Sequence, residues 1–242
     1  TLSMPTIRKV AIWVGITILG MVAVLTLVVG LALALAYPKL PDVSELSDYR
    51  PKLPLRVYSA EGVLIGEFGE ELRQLTPIAQ IPKVMKDAVI AIEDSDFYSH
   101  GGINYRSMLR AVVANLGRSK SQGASTITMQ VARNVYLSSE KSYVRKIYEV
   151  LLTFKLESLL TKDQILEIYM NQIFLGERAY GFASAAEIYF GKPLKDISIA
   201  EAAMLAGLPK APSTFNPIVN PSRARVRQLY IIERMLDNDF IT

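Results

Sequence analysis

From Val10 to Pro38 the chain holds no charged residue, while Arg8 and Lys9 precede the run and Lys39 follows it. A helix of that length reaches roughly 40 Å, enough to cross a hydrocarbon core of about 30 Å with some tilt. The apolar stretch of a cleaved signal peptide is only about 7–15 residues long, so a permanent span is the expectation here. Trp13 and Tyr37 near its two ends match the interfacial aromatic pattern. Arg8 and Lys9 put the short N-terminal side in the cytoplasm and the rest of the chain on the outer face of the membrane.

Beyond the span, Pro38, Pro41, Pro51 and Pro54 punctuate an extended linker. Two alternating runs, Leu55 to Tyr58 and Val63 to Phe68, flank Ser59-Ala60-Glu61-Gly62 and read as a hairpin. The pattern then turns helical. Helices are predicted from Pro82 to about Asp94, from Tyr105 to Leu116 with Gly117 closing it, and from Tyr143 to Leu160. Thr161-Lys162-Asp163-Gln164 has the form of a capping box opening a helix to about Phe174. Ser198-Ile199-Ala200-Glu201 opens another, ended by Gly207 and Pro209, and Ser222 to Asp237 is the last. The division expected is a tail over 1–9, a transmembrane helix over 10–37, a linker over 38–54 and a mainly α domain with one small β element over 55–242.

Composition narrows the chemistry. The formal net charge of +4 falls to about +2 once Arg8 and Lys9 are set aside, and no Lys/Arg block of the nucleic-acid-binding kind occurs. With no Cys there is no disulfide framework, thiol nucleophile or Cys zinc site, and the single His, His100, does not make a zinc site by itself.

Three clusters are left as candidates. Glu93 and Asp94 end an apolar helix, where the macrodipole disfavours carboxylates, and a Gly turn at Gly101-Gly102 follows. That setting suits a raised pKa and a catalytic base, although composition alone favours a solvated helix end. Gln122-Gly123-Ala124-Ser125-Thr126-Ile127-Thr128-Met129-Gln130 opens a helix with free N–H groups, a place for an anion or simply an N-cap, without P-loop spacing. Arg133, Lys141, Arg145 and Lys146 offer cations for a phosphate or pyrophosphate beside Glu149, or else Arg145 and Glu149 form a plain surface pair. Ser138-Ser139-Glu140-Lys141 has the S-x-x-K form of penicilloyl serine enzymes but no K-T-G or S-D-N partner, so it is rejected.

Taken together, Glu93-Asp94-x-x-Phe97-x-x-His100, Gly123 to Thr128, Arg145-Lys146-x-x-Glu149, Ile165 to Asn171 and Ala203 to Ser213 resemble glycosyltransferase family 51. This is the peptidoglycan glycosyltransferase module of class A penicillin-binding proteins, and the chain has the look of the 1A type. The resemblance implies a lysozyme-like helical fold, a membrane-dipping jaw, and a transpeptidase domain following residue 242. It implies lipid II and the nascent glycan strand as substrates, membrane lipids and wall-synthesis proteins as partners, moenomycin-type inhibitors, and no nucleic acid. By position, Glu93 corresponds to the general base. Arg133, Lys141, Arg145 and Lys146 correspond to cations near the pyrophosphate, with Asp94, Ser125 and Gln130 as further substrate-binding neighbours. Glu149 matches the second essential carboxylate, orienting either those cations or a divalent metal such as Mg2+ or Mn2+, and the resemblance leaves open whether a metal is required.

Two positions depart from the family pattern. Met129 stands where a first Gln is usual, and Asp96 where a basic or neutral residue is common. Asp96 either raises the pKa of Glu93 or faces solvent, the second being the expectation. Two other functions compete with the polymerase: a lysozyme-like muramidase and an inactive membrane-anchored scaffold. A muramidase has no use for a cationic pyrophosphate site, and a dead scaffold need not keep both Glu93 and Glu149.

Overall fold

The computed structural model describes residues 4–40, 55–69, 71–116, 125–137 and 143–242. Most of the linker, Gly117, Gly123, the S-x-x-K stretch and Lys141 lie outside these residues. Helix α1, Met4–Ala36, begins before the expected span and takes in Arg8 and Lys9. Its stretch from Ile12 to Ala36 has a mean hydropathy of 2.8 and no buried share, so it is long and apolar enough to cross a membrane. The hairpin is present as β1, Leu55–Tyr58, and β2, Leu64–Phe68, paired antiparallel with an irregularity between Val57 and Tyr58.

The domain is mainly helical. A short strand β3, Leu72–Arg73, precedes helices α2 (Lys83–Glu93), α3 (Tyr105–Leu116), α4 (Ile127–Tyr136), α5 (Tyr143–Leu159) and α6 (Lys162–Gln172). Strand β4, Ala179–Tyr180, helix α7 (Phe182–Phe190), α8 (Ile199–Ala206) and α9 (Pro221–Asp237) complete it. Helix α2 is the hub. Met85, Ala88 and Val89 are fully enclosed, and the helix packs on α8 and α9. Helix α4 packs on both α5 and α6, bringing Ile127, Leu152, Leu156, Ile165 and Leu166 into the same core.

Local sequence explains most boundaries. Both expected capping boxes form: Thr161 Oγ1 accepts from Gln164 N, and Ser198 Oγ accepts from Glu201 N, each with the reciprocal side-chain bond. Pro82 sits one place earlier than expected, as the N-cap, its carbonyl accepting from Met85 N at 3.0 Å. Helix α7 and the β3–β4 pair are additions to the sequence reading. The two strands pair parallel, Leu72 with Ala179 and Arg73 with Tyr180, and the Arg73 guanidinium lies 4.4 Å from the Tyr180 ring centroid. Gly181 starts α7 at φ 83°, and a Cβ there would stand 2.8 Å from Asn171 O, so only glycine fits that approach.

Candidate active site

Helix α2 stops because the backbone leaves the helical region at Asp94, with φ −163° and ψ 77°. This turns Glu93 and Asp94 apart. Asp94 is 7% exposed. Its Oδ2 accepts from Ile127 N at 3.1 Å, the first residue of α4, and its two oxygens lie 2.9 and 3.0 Å from His100 Nε2. Gly102 N donates to His100 Nδ1 at 3.1 Å, which leaves Nε2 as the ring nitrogen that carries the hydrogen and donates to Asp94. The carboxylate that is badly placed at the end of α2 is therefore well placed at the positive end of α4.

That contact decides between the two readings of this helix start in favour of a capped N-terminus, and the charge it holds is Asp94 of the same chain. Thr126 is its N-cap, accepting from Met129 N at 3.2 Å and donating to Gly102 O at 2.6 Å. Ser125 stands half-buried just before it, and Met129 is buried at 4% exposure. Asp96 is exposed and accepts from Asn104 Nδ2 at 3.0 Å, the outcome expected for it.

Glu93 faces another set of groups. Gln130, one turn into α4, donates from Nε2 to Glu93 Oε2 at 2.7 Å. Burial pushes the Glu93 carboxyl above its ordinary value, against the lowering effect of the Gln130 hydrogen bond and of the charges on Arg227, Arg133 and Lys210. Arg133 comes from the last turn of α4, Lys210 from the segment after α8, and Arg227 from α9. The Tyr169 hydroxyl on α6 also lies in the field of Glu93 and Arg133, and burial raises it well above its ordinary value, so it stays protonated.

A second carboxylate sits on α5. Glu149 is 1% exposed and accepts from Lys146 Nζ at 2.6 Å. The reading of a surface pair at this helix is thereby set aside, since Glu149 is enclosed. Its Lys146 partner keeps half of its side chain in solvent. No group of three or more His, Asp or Glu that could hold a metal occurs among the described residues. With its charge matched by Lys146, Glu149 gives a divalent ion no ready ligand set among the described residues.

Of the candidate residues, Glu93, Gln130 and Arg133 are thus gathered at one place. Asp94 is engaged within the protein, and Glu149 and Lys146 form a separate pair on the neighbouring helix. Arg227, Lys210 and Tyr169 are the residues whose part in this environment the sequence reading missed. Arg227 is one of several arginines on α9 and nothing in its spacing marks it. The local signal is Gly207, whose missing side chain leaves room for Arg227 Cγ, 2.9 Å from where a Cβ would stand.

A family profile described as Transglycosylase matches residues 61–236. The chain belongs to the transglycosylase family. The transglycosylase chain is 56% identical over 215 residues to a protein named penicillin-binding protein 1A from Neisseria gonorrhoeae, covering 88% of this chain and 27% of that one. Its counterpart from Neisseria lactamica is 57% identical over 213 residues, with the same 88% and 27% coverage. The chain therefore spans about a quarter of the length of these relatives. A crystal structure of penicillin-binding protein 1A from Haemophilus influenzae aligns with a TM-score of 0.45 at 30% identity, over 80% of this chain and 20% of that one. The family resemblance carried by the sequence motifs is borne out.

Proposed function

We propose that this transglycosylase chain is a peptidoglycan glycosyltransferase that polymerises lipid II into glycan strands at the outer face of the cytoplasmic membrane. The observation that carries the reading is the Glu93 environment: a half-buried carboxyl that loss of water holds above its ordinary value, oriented by Gln130, with Arg133, Lys210 and Arg227 around it. A base of that kind is suited to take a proton from a sugar hydroxyl near pH 7.

The reaction follows from these groups. The growing strand, linked through C1 to undecaprenyl pyrophosphate, is the donor, and the lipid II 4-hydroxyl is the acceptor. Glu93 takes the hydroxyl proton, O4 bonds to C1 from the opposite face with inversion, and the C1–O bond breaks with its electron pair left on pyrophosphate. Arg133, Arg145, Lys146 and Lys141 supply countercharge for that leaving group, with Ser125 as a hydrogen-bonding neighbour. Asp94 acts by fixing α2 against α4, so that Glu93 and Gln130 keep their register. Glu149 holds Lys146 in place for the pyrophosphate. Holding both lipid-tethered sugars in one cleft supplies much of the acceleration.

The membrane side of the reading is supported by exposed apolar groups. Tyr105, Met108 and Leu109 on α3 and Val144 and Ile147 on α5 face outward, and α5 lies beside α1. These form the jaw that dips into the bilayer, with α1 crossing it and the N-terminus in the cytoplasm. Wall-synthesis proteins are the natural company of such an enzyme.

A muramidase would also use a raised glutamate, as the acid that protonates a sugar leaving group. The cations around Glu93 favour transfer from a pyrophosphate instead. The deciding test is gel electrophoresis of glycan strands made by the detergent-solubilised chain from labelled lipid II, with and without moenomycin. A ladder of lengthening, lipid-linked strands that moenomycin suppresses is expected. Cleavage of preformed strands with no ladder would establish the hydrolase, and folded protein that does neither would leave the scaffold.

A further inference from the structure

Buried polar groups are nearly always hydrogen-bonded, so those that are not call for a reason. The Tyr169 hydroxyl is such a group: the residue is 1% exposed, its oxygen is inaccessible to water, and it has no hydrogen-bond partner. Leaving it unpaired works against the fold, and a phenylalanine would fill the same space without that cost. The hydroxyl nevertheless stands in the field of Glu93 and Arg133, on a helix packed against the one that carries Gln130. Glu93 in turn has Oε2 bonded by Gln130, and Oε1 has no hydrogen bond among the described residues.

We propose that Tyr169 is a positioning residue for Glu93: its buried, unpartnered hydroxyl donates a hydrogen bond to the Glu93 carboxylate when that group is ionised, opposite the Gln130 amide, and so fixes the lone pair that takes the acceptor's proton. The assignment rests on Glu93 being the base of the transfer proposed above. A neutral Glu93 accepts from Gln130 through one oxygen and keeps its own hydrogen on the other. The charged form has more lone pairs to satisfy, and Tyr169 supplies the second donor without bringing a charge. The other charged groups around Glu93 are Arg133 on α4, Lys210 after α8 and Arg227 on α9, with Asp94 next to it in the chain but turned to His100. Glu201, the charged residue of α8, is held by Lys192 at 2.8 Å.

The test is Tyr169→Phe in the full chain, read in three ways: lipid II polymerisation rate against pH, thermal unfolding, and titration of Glu93 by carboxyl 13C NMR with Glu93→Gln assigning the signal. Expected are a Glu93 midpoint and an acid limb of kcat/KM moved up by roughly one pH unit, a kcat at least about tenfold lower near the limb, and a melting temperature at pH 4, where Glu93 is protonated, equal to or above that of the wild type. An unmoved Glu93 midpoint overturns the proposal. So does a rate loss that is wholly a rise in KM with an unmoved pH profile, which would make the hydroxyl a substrate contact. A rate loss accompanied by a lower melting temperature at pH 4 would make Tyr169 structural and overturns it as well. If the wild type makes no polymer but the Glu93 midpoint rises in Tyr169→Phe, the polymerase reading falls while the Tyr169–Glu93 bond stands.

Discussion

Glu93→Gln removes one ionisable oxygen and leaves the shape of the site unchanged. The amide can still present its carbonyl to Gln130 Nε2, which now stands 2.7 Å from Glu93 Oε2. The substitution therefore takes away the base while keeping the packing of α2 on α4. Loss of a positioned general base costs about 10²- to 10⁴-fold in rate, or roughly 3–5 kcal/mol in the barrier. Polymerisation is expected to fall by that factor in initial-rate assays on labelled lipid II, with lipid II affinity unchanged.

Stability should move the other way. Burial raises the folded-state pKa of Glu93 above its ordinary value of 4.5. Well below that value the group is protonated in both states and has no effect on the pH dependence. As pH climbs past it the unfolded chain ionises first, so the folded wild type loses stability until the folded pKa is passed. Gln escapes this loss. The variant should melt close to the wild type at pH 4 and above it at pH 8. Polymerisation within tenfold of the wild type would remove Glu93 from its role, and a lower melting temperature at pH 8 would refute the account of its burial.

Three further outcomes are expected. Lys146→Met leaves the enclosed Glu149 without its partner and should cost about 1–3 kcal/mol in denaturant unfolding, less than a fully buried pair because Lys146 is half in solvent. Gly181→Ala should cost about 1–3 kcal/mol or more, since φ 83° with ψ 158° is a region that only glycine occupies freely and its Cβ would meet Asn171 O; a melting temperature within a degree of the wild type would contradict it. Arg227→Gln removes a charge that holds the Glu93 carboxyl down, so the acid limb of the pH–rate profile should move to higher pH.

The local elements were legible because their causes are local. The capping boxes at Thr161 and Ser198, the helix from Tyr105 to Leu116 and the hairpin around Ser59–Gly62 all follow from residues close in the chain. Helix α7 was not legible because glycine caps it, with no side-chain signal at Gly181, and because the backbone that excludes any other residue there is that of Asn171, ten residues earlier. The β3–β4 pair joins residues 72–73 to 179–180, a contact that two-residue strands do not announce.

The candidate site divides along the same line. The sequence alone determined the residue types and the family: an apolar helix of membrane length, two glutamates in their motifs, and cations nearby. Spacing along the chain cannot say which charge meets which. Only the tertiary structure decided that Asp94 spends its charge on the start of α4 while its neighbour Glu93 faces Gln130. It also decided that Glu149 is enclosed and held by Lys146, and that Arg227, 134 positions beyond Glu93, belongs to the same electrostatic environment. The physical reason is that a carboxyl's ionisation depends on how much water is excluded around it and which charges are brought near, and both are set by packing between helices remote in sequence.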